Sequence, residues 1–145
     1  MHNKIVRMDT LYTAEATAVG DGRNGHVRSS DGLLDADVRI PAAMGGRGGA
    51  TNPEQLFAAG YAACFHSALR LVAGEQRADV ADSSVTAQVS IGANGSGGFG
   101  LAVKLTVSLP AVAPDLAQKL VSRAHEVCPY SNATRGNVDV TLEVA

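Results

Sequence analysis

The sequence predicts an α+β fold, on three observations. Several short runs alternate apolar and polar residues with a period of two, as half-buried strands do. A long run in the middle is apolar nearly all round, and a later run carries its apolar residues on one helical stripe. Along the chain these read as strands, helix, hairpin, helix, strand. The 145 residues form one predicted domain, 1–145, large enough to bury its own core.

Residues 11–19 are rich in Thr, Ala and Val, and Gly20-Asp21-Gly22-Arg23-Asn24-Gly25 is dense turn chemistry. A return strand is predicted over 26–30, with Asp31-Gly32 as a two-residue hairpin signal. Leu34, Ala36, Val38 and Ile40 then alternate with Asp35, Asp37 and Arg39 until Pro41 ends the strand. Residues 45–49 form a glycine-rich loop that lacks the Gly-Lys-Ser/Thr ending of a phosphate loop.

The central helix is predicted from Pro53 to about residue 73. Asn52 can cap it, Pro53 suits the first helical position, and Glu54 complements the positive helix end. A helix apolar on every side is either buried at the centre or shared between subunits. Gly60 within it marks either a bend or a close helix–helix approach. A strand pair follows over 85–91 and 101–109, joined by the glycine-rich run 92–100. A second helix is predicted over 114–127, stopped by Pro129, and residues 138–144 alternate as a last strand.

Composition removes several classes of function. A net charge of -2 leaves no electrostatic footprint for nucleic acid or an anionic membrane, and the lack of tryptophan weakens any base-stacking platform. The first ten residues carry no signal-peptide core, and no 18 consecutive apolar residues occur free of charge. The expected compartment is the cytosol. Thiols stay reduced there, so a catalytic or redox-sensing cysteine pair is more at home than a structural disulfide.

The chain has two cysteines. Cys64 falls in the body of the apolar helix, where burial raises a thiol pKa, so it needs a nearby cation to react. It lies too far from the helix N-terminus for the dipole to help. Cys128 falls at the negative end of the second helix, a position better suited to a resolving thiol than an attacking one. Arg23, among small turn residues, is the predicted cation, and Glu54 its carboxylate partner in a two-pronged pair. A straight helix separates Glu54 from Cys64 by about 15 Å of rise. Either the helix breaks near Gly60 or two chains build the site, and the second is favoured.

Plainer readings exist for each residue. Two cysteines are more often small buried hydrophobes than a redox pair, Glu54 serves equally as a dipole complement, and Arg23 as a solvated turn residue. His125 and Cys128 have metal-ligand spacing, but no second pair completes a site, and no metal or cofactor is expected. His66 and Cys64, two positions apart, point to different helix faces. His2 and His26 are expected at the surface.

The run 51–65, Thr-Asn-Pro-Glu-Gln-Leu-Phe-Ala-Ala-Gly-Tyr-Ala-Ala-Cys-Phe, resembles the signature of organic hydroperoxide resistance (Ohr) proteins in the OsmC superfamily. The run 124–137, Ala-His-Glu-Val-Cys-Pro-Tyr-Ser-Asn-Ala-Thr-Arg-Gly-Asn, resembles that family's second cysteine motif, and the similarity spans essentially the whole chain. The family usually has Gly-Gly-Arg where this chain has Asp21-Gly22-Arg23, and more often an apolar residue at His66. The resemblance implies antiparallel sheets around a long central buried helix, in an intertwined homodimer with active sites at the interface. It implies Cys64 as the peroxidatic cysteine, Cys128 as the resolving one, and Arg23 with Glu54 as the activating pair. It also implies organic hydroperoxides as substrates and lipoylated proteins, or another dithiol, as reductant. A redox-sensing protein, a hydrophobic-ligand binding module and an OsmC-branch peroxidase are the alternatives.

Overall fold

A computed structural model describes residues 7–145; His2 lies outside them. The chain divides into two compact units at the Asn52–Pro53 junction.

The first unit is a small antiparallel sheet of β1 (Ala16–Val19), β2 (His26–Ser29) and β3 (Asp35–Asp37), in the order β1-β2-β3. β1 is shorter than the 11–19 run because β2 offers only four partners, Ala16 opposite Ser29 through Val19 opposite His26. Leu11 is wholly exposed in this chain. Between β1 and β2 a single 3-10 turn, Gly22–Asn24, carries Arg23. Gly25 closes this turn where no other residue fits, since a Cβ there would lie 2.1 Å from the Val19 carbonyl oxygen.

The predicted two-residue hairpin at Asp31-Gly32 is a longer loop. The Asp31 carboxylate accepts from the Ser29 hydroxyl (2.6 Å) and the Leu33 N–H (3.0 Å), which holds the chain off the ladder. β3 also stops earlier than the alternation suggests. Beyond Asp37 the backbone turns to other acceptors: Val38 N–H to the Gly25 carbonyl, Arg39 N–H to the Thr51 carbonyl, and Ile40 N–H to Asn24 Oδ1.

The second unit begins with α1 (Pro53–Glu75), a continuous helix with no break at Gly60. β4 (Ser84–Ala93) and β5 (Phe99–Ser108) form an antiparallel hairpin. The chain then passes through α2 (Pro114–Val127) and α3 (Pro129–Thr134) to β6 (Asp139–Val144). That helical crossover makes β6 parallel to β5, so this sheet, in the order β4-β5-β6, is mixed rather than antiparallel throughout. Pro129 does end α2, but it also opens α3. Its missing N–H costs nothing at a first helical position, and Cys128 before it takes the extended conformation that precedes proline.

The core lies between one face of this sheet and the helices. Val103, Leu105 and Val107 on β5 meet Tyr61, Phe65, Leu69 and Val72 of α1 and Ala117, Leu120, Val121 and Ala124 of α2 in one cluster. Length and hydropathy alone would let α1 cross a membrane, since Arg70 is the one charge in its apolar stretch. It is instead the core helix of this unit, with Tyr61, Phe65, Ala68, Leu69, Val72 and Ala73 buried. Ala59, Ala63, Ser67 and Leu71 are exposed along the opposite face in the single chain, as the shared-between-subunits reading of this helix allows. Most of that face is apolar only through small side chains, which bury little area.

Candidate active site

The cysteines come together from different elements. α1 presents Cys64 one turn beyond Tyr61, and the α2–α3 corner presents Cys128, which caps the end of one helix and the start of the next. Their sulfur atoms lie 3.6 Å apart with Cys128 Sγ donating, and both are free thiols. A disulfide bond is about 2.05 Å long, so the pair is close but unbonded. Cys128 is completely buried, whereas Cys64 is part-exposed. The negative end of α2 is therefore half of Cys128's setting, the other half being the N-terminus of α3.

Cys64 opens on a groove of about 470 Å³ lined by Ser67, Ala68, Leu71, Val127 and Pro129. Burial pushes its thiol above the ordinary range. The backbone N–H of Tyr130 pulls the other way, and the neighbouring Cys128 pushes it up again. Tyr130 is fixed by an aromatic cluster, with its ring 6.0 Å from Phe57 and 5.7 Å from Tyr61 between centroids. Gly60 admits that ring, because a Cβ at residue 60 would stand 3.3 Å from it. Of the two sequence readings of Gly60, the close helix–helix approach is the one found.

The corner holding Cys128 is tied by buried polar groups that sequence reasoning missed. Tyr61 Oη lies 2.8 Å from Ser131 Oγ and 3.1 Å from Thr134 Oγ1, and His125 Nδ1 lies 2.8 Å from Ser131 Oγ. The available signal was positional: Tyr61 and Ser131 each stand three residues from a cysteine. Burial, and then the positive charge of Arg135, hold the His125 pKa below its ordinary value. Among the described residues no group of three or more His, Cys, Asp or Glu is placed to hold a metal ion. His66 bonds Ser83 Oγ through Nε2 at 2.9 Å.

Of the two other predicted site residues, Arg23 occupies the 3-10 turn of the first unit and Glu54 the first turn of α1. Arg39 braces the Arg23 turn, its Nη1 donating to the carbonyls of Asn24 (3.3 Å), Gly25 (3.0 Å) and Val38 (2.6 Å). His26, expected to be a plain surface residue, is held between two carboxylates. Its Nδ1 lies 2.8 Å from Asp37 and its Nε2 meets Asp35.

The family model for OsmC-like proteins matches residues 46–143, which include α1 and both cysteines. The chain belongs to the OsmC/Ohr family. It is 53% identical over 137 residues to an organic hydroperoxide resistance protein of Xanthomonas axonopodis pv. citri, covering 93% of this chain and 95% of that protein. Against the Bacillus subtilis protein OhrB, of the same description, the identity is 53% over 135 residues, covering 92% and 98%. The crystal structure of an organic hydroperoxide resistance protein from Legionella pneumophila superposes with a TM-score of 0.90 at 55% identity, covering 94% of this chain and 99% of that one. The α+β architecture with its long core helix is accordingly an OsmC/Ohr fold.

Proposed function

We propose that this chain protects against organic hydroperoxides as a thiol peroxidase, reducing alkyl and fatty-acid hydroperoxides to alcohols in the cytosol. The observation that carries this is the unbonded approach of a part-exposed thiol and a buried one at 3.6 Å. The Cys64 thiolate attacks the distal oxygen; the O–O bond breaks, the alkoxide leaves and takes a proton as alcohol, and Cys64 becomes a sulfenic acid. The Cys128 thiol then attacks that sulfur, giving the disulfide and one water. A dithiol, on this reading that of a lipoylated protein, returns both cysteines to thiols by exchange and is itself oxidised.

The asymmetry of the pair supports these roles. Cys64 meets the groove, while Cys128 has no surface for a substrate to reach. The apolar lining of Leu71, Val127, Ala68 and Pro129 suits a hydrocarbon chain better than hydrogen peroxide. Since burial keeps Cys64 protonated, a positive charge must favour its thiolate, and we assign this to Arg23, oriented by Glu54. On a continuous α1, Glu54 and Cys64 are about 15 Å apart in rise, which supports a site built by two chains of a homodimer. Light scattering that finds an active monomer at micromolar concentration would remove the dimer. The deciding experiment is steady-state turnover of tert-butyl hydroperoxide with a lipoyl dithiol as electron donor. Turnover well above that with hydrogen peroxide is expected, and no turnover would overturn the reading.

A further inference from the structure

Two of the contacts between α1 and the α2–α3 corner are in step. Three residues before Cys64 stands Tyr61, and three residues after Cys128 stands Ser131. Sulfur meets sulfur at 3.6 Å, and hydroxyl meets hydroxyl at 2.8 Å. The hydroxyl contact belongs to a larger chain, and a single set of proton positions makes every bond in it at once. The Ser131 carbonyl can only accept, so Thr134 Oγ1, 3.2 Å away, spends its hydrogen there. Tyr61 must then donate to Thr134, Ser131 must donate to Tyr61, and His125 must donate its Nδ1 hydrogen to Ser131.

Each hydroxyl in this chain gives one hydrogen and receives one, so deleting any member removes at least one bond made by a buried group and forces the others to re-pair. Tyr61 and Ser131 are completely buried and Thr134 nearly so, and none can turn to water instead. Arg135 secures the outer side, donating to the His125 carbonyl and, at 2.8 Å, to Asn132 Oδ1.

We propose that Tyr61, Ser131, Thr134 and His125 form a positioning clamp that fixes Cys128 at closing distance from Cys64 and so sets how readily their disulfide forms. This rests on the reading that the two cysteines form a disulfide. With the corner fixed before the bond is made, little freedom remains to be lost in making it, which appears as a high effective concentration of one thiol for the other.

The test needs no peroxide. The full-length protein is equilibrated in mixtures of reduced and oxidised glutathione, and the Cys64–Cys128 disulfide is quantified after alkylation by mass spectrometry. Two protein thiols give two electrons and two protons to oxidised glutathione, which becomes two molecules of the reduced form. Tyr61→Phe keeps the ring and removes one hydroxyl. It should lower the disulfide's equilibrium constant about tenfold, moving its potential about 30 mV in the oxidising direction. His125→Phe should act the same way, and His125→Asn, whose amide N–H can replace the Nδ1 hydrogen, should restore most of the loss. Using residue 125, only half-buried, keeps the test available if Tyr61→Phe folds poorly. Folded variants with an unchanged potential, or equal losses in His125→Phe and His125→Asn, overturn the clamp. A wild-type protein that forms no such disulfide overturns the peroxidase reading as well.

Discussion

Cys64 and Cys128 lie 3.6 Å apart but in opposite environments, one opening on an apolar groove and the other sealed in the core cluster. The difference assigns distinct consequences to the two substitutions. Cys64→Ser should abolish hydroperoxide consumption. Cys128→Ser should retain one rapid burst, about one equivalent per chain, and then stall or over-oxidise at Cys64 with excess peroxide. Stopped-flow consumption with intact-mass detection of the oxygen adducts reads both. Ordinary turnover by the first variant, or sustained cycling by the second, would defeat the assignment.

The brace on the Arg23 turn makes a second prediction. Arg39 spreads one guanidinium nitrogen over three carbonyls, two of them in or next to the turn. Arg39→Ala should cost about 1–2 kcal/mol, since these bonds are charge-assisted but partly exposed, and should speed amide exchange across residues 22–25. Activity should fall less than in Arg23→Ala, which should slow attack by orders of magnitude and raise the Cys64 pKa. Thiolate absorbance against pH separates the two. A brace acting only on the turn leaves the thiol titration near its wild-type position, and an equal shift in both variants would show that Arg39 acts on the thiol directly.

Much of this arrangement was legible in the sequence. Period-two alternation located the hairpin and the last strand, and Pro53 marked the start of α1 to the residue. What escaped depends on contacts that periodicity does not encode. Pro129 reads equally as a stop and as a first helical residue, so α3 was missed and Ser131 and Thr134 with it. The Asp31 loop was misjudged because a carboxylate, not a turn dipeptide, sets its length. His26 gave no sign in sequence of its carboxylates, which stand nine and eleven residues away and reach it only through the β2–β3 pairing.

That His26 arrangement predicts a pH dependence. A neutral imidazole carries one N–H, whereas each of its nitrogens here faces a carboxylate, so both bonds need the charged form. The hydrogen bond to Asp37, then that to Asp35, raises the His26 pKa above its ordinary value; Arg39 lies near Asp37 and favours the ionised carboxylate. A raised folded pKa means stabilisation fully present below the unfolded value of about 6.5 and lost as pH rises through the folded one. His26→Gln should therefore lower the thermal midpoint modestly below pH about 6.5 and converge with wild type at alkaline pH. A difference that is flat, or grows with pH, would contradict it.

Leu105 and Leu71 are chemically identical, and the structure gives them different work. Leu105 is completely buried at the centre of the mixed sheet, so Leu105→Ala removes packed methyl groups and leaves a cavity, at a cost of about 2–5 kcal/mol. Leu71 is 59% exposed and lines the groove beside Cys64, so truncating it should change stability by no more than about 0.5 kcal/mol. Its effect should fall on selectivity. Leu71→Ala should raise KM for cumene or fatty-acid hydroperoxide several-fold while leaving the slow reaction with hydrogen peroxide unaltered, because only the bulky substrates have apolar surface to bury there. Urea unfolding checks the first half and paired steady-state kinetics the second. A uniform loss across all peroxides would mean that Leu71 supports the cysteine itself rather than the hydrocarbon part of the substrate.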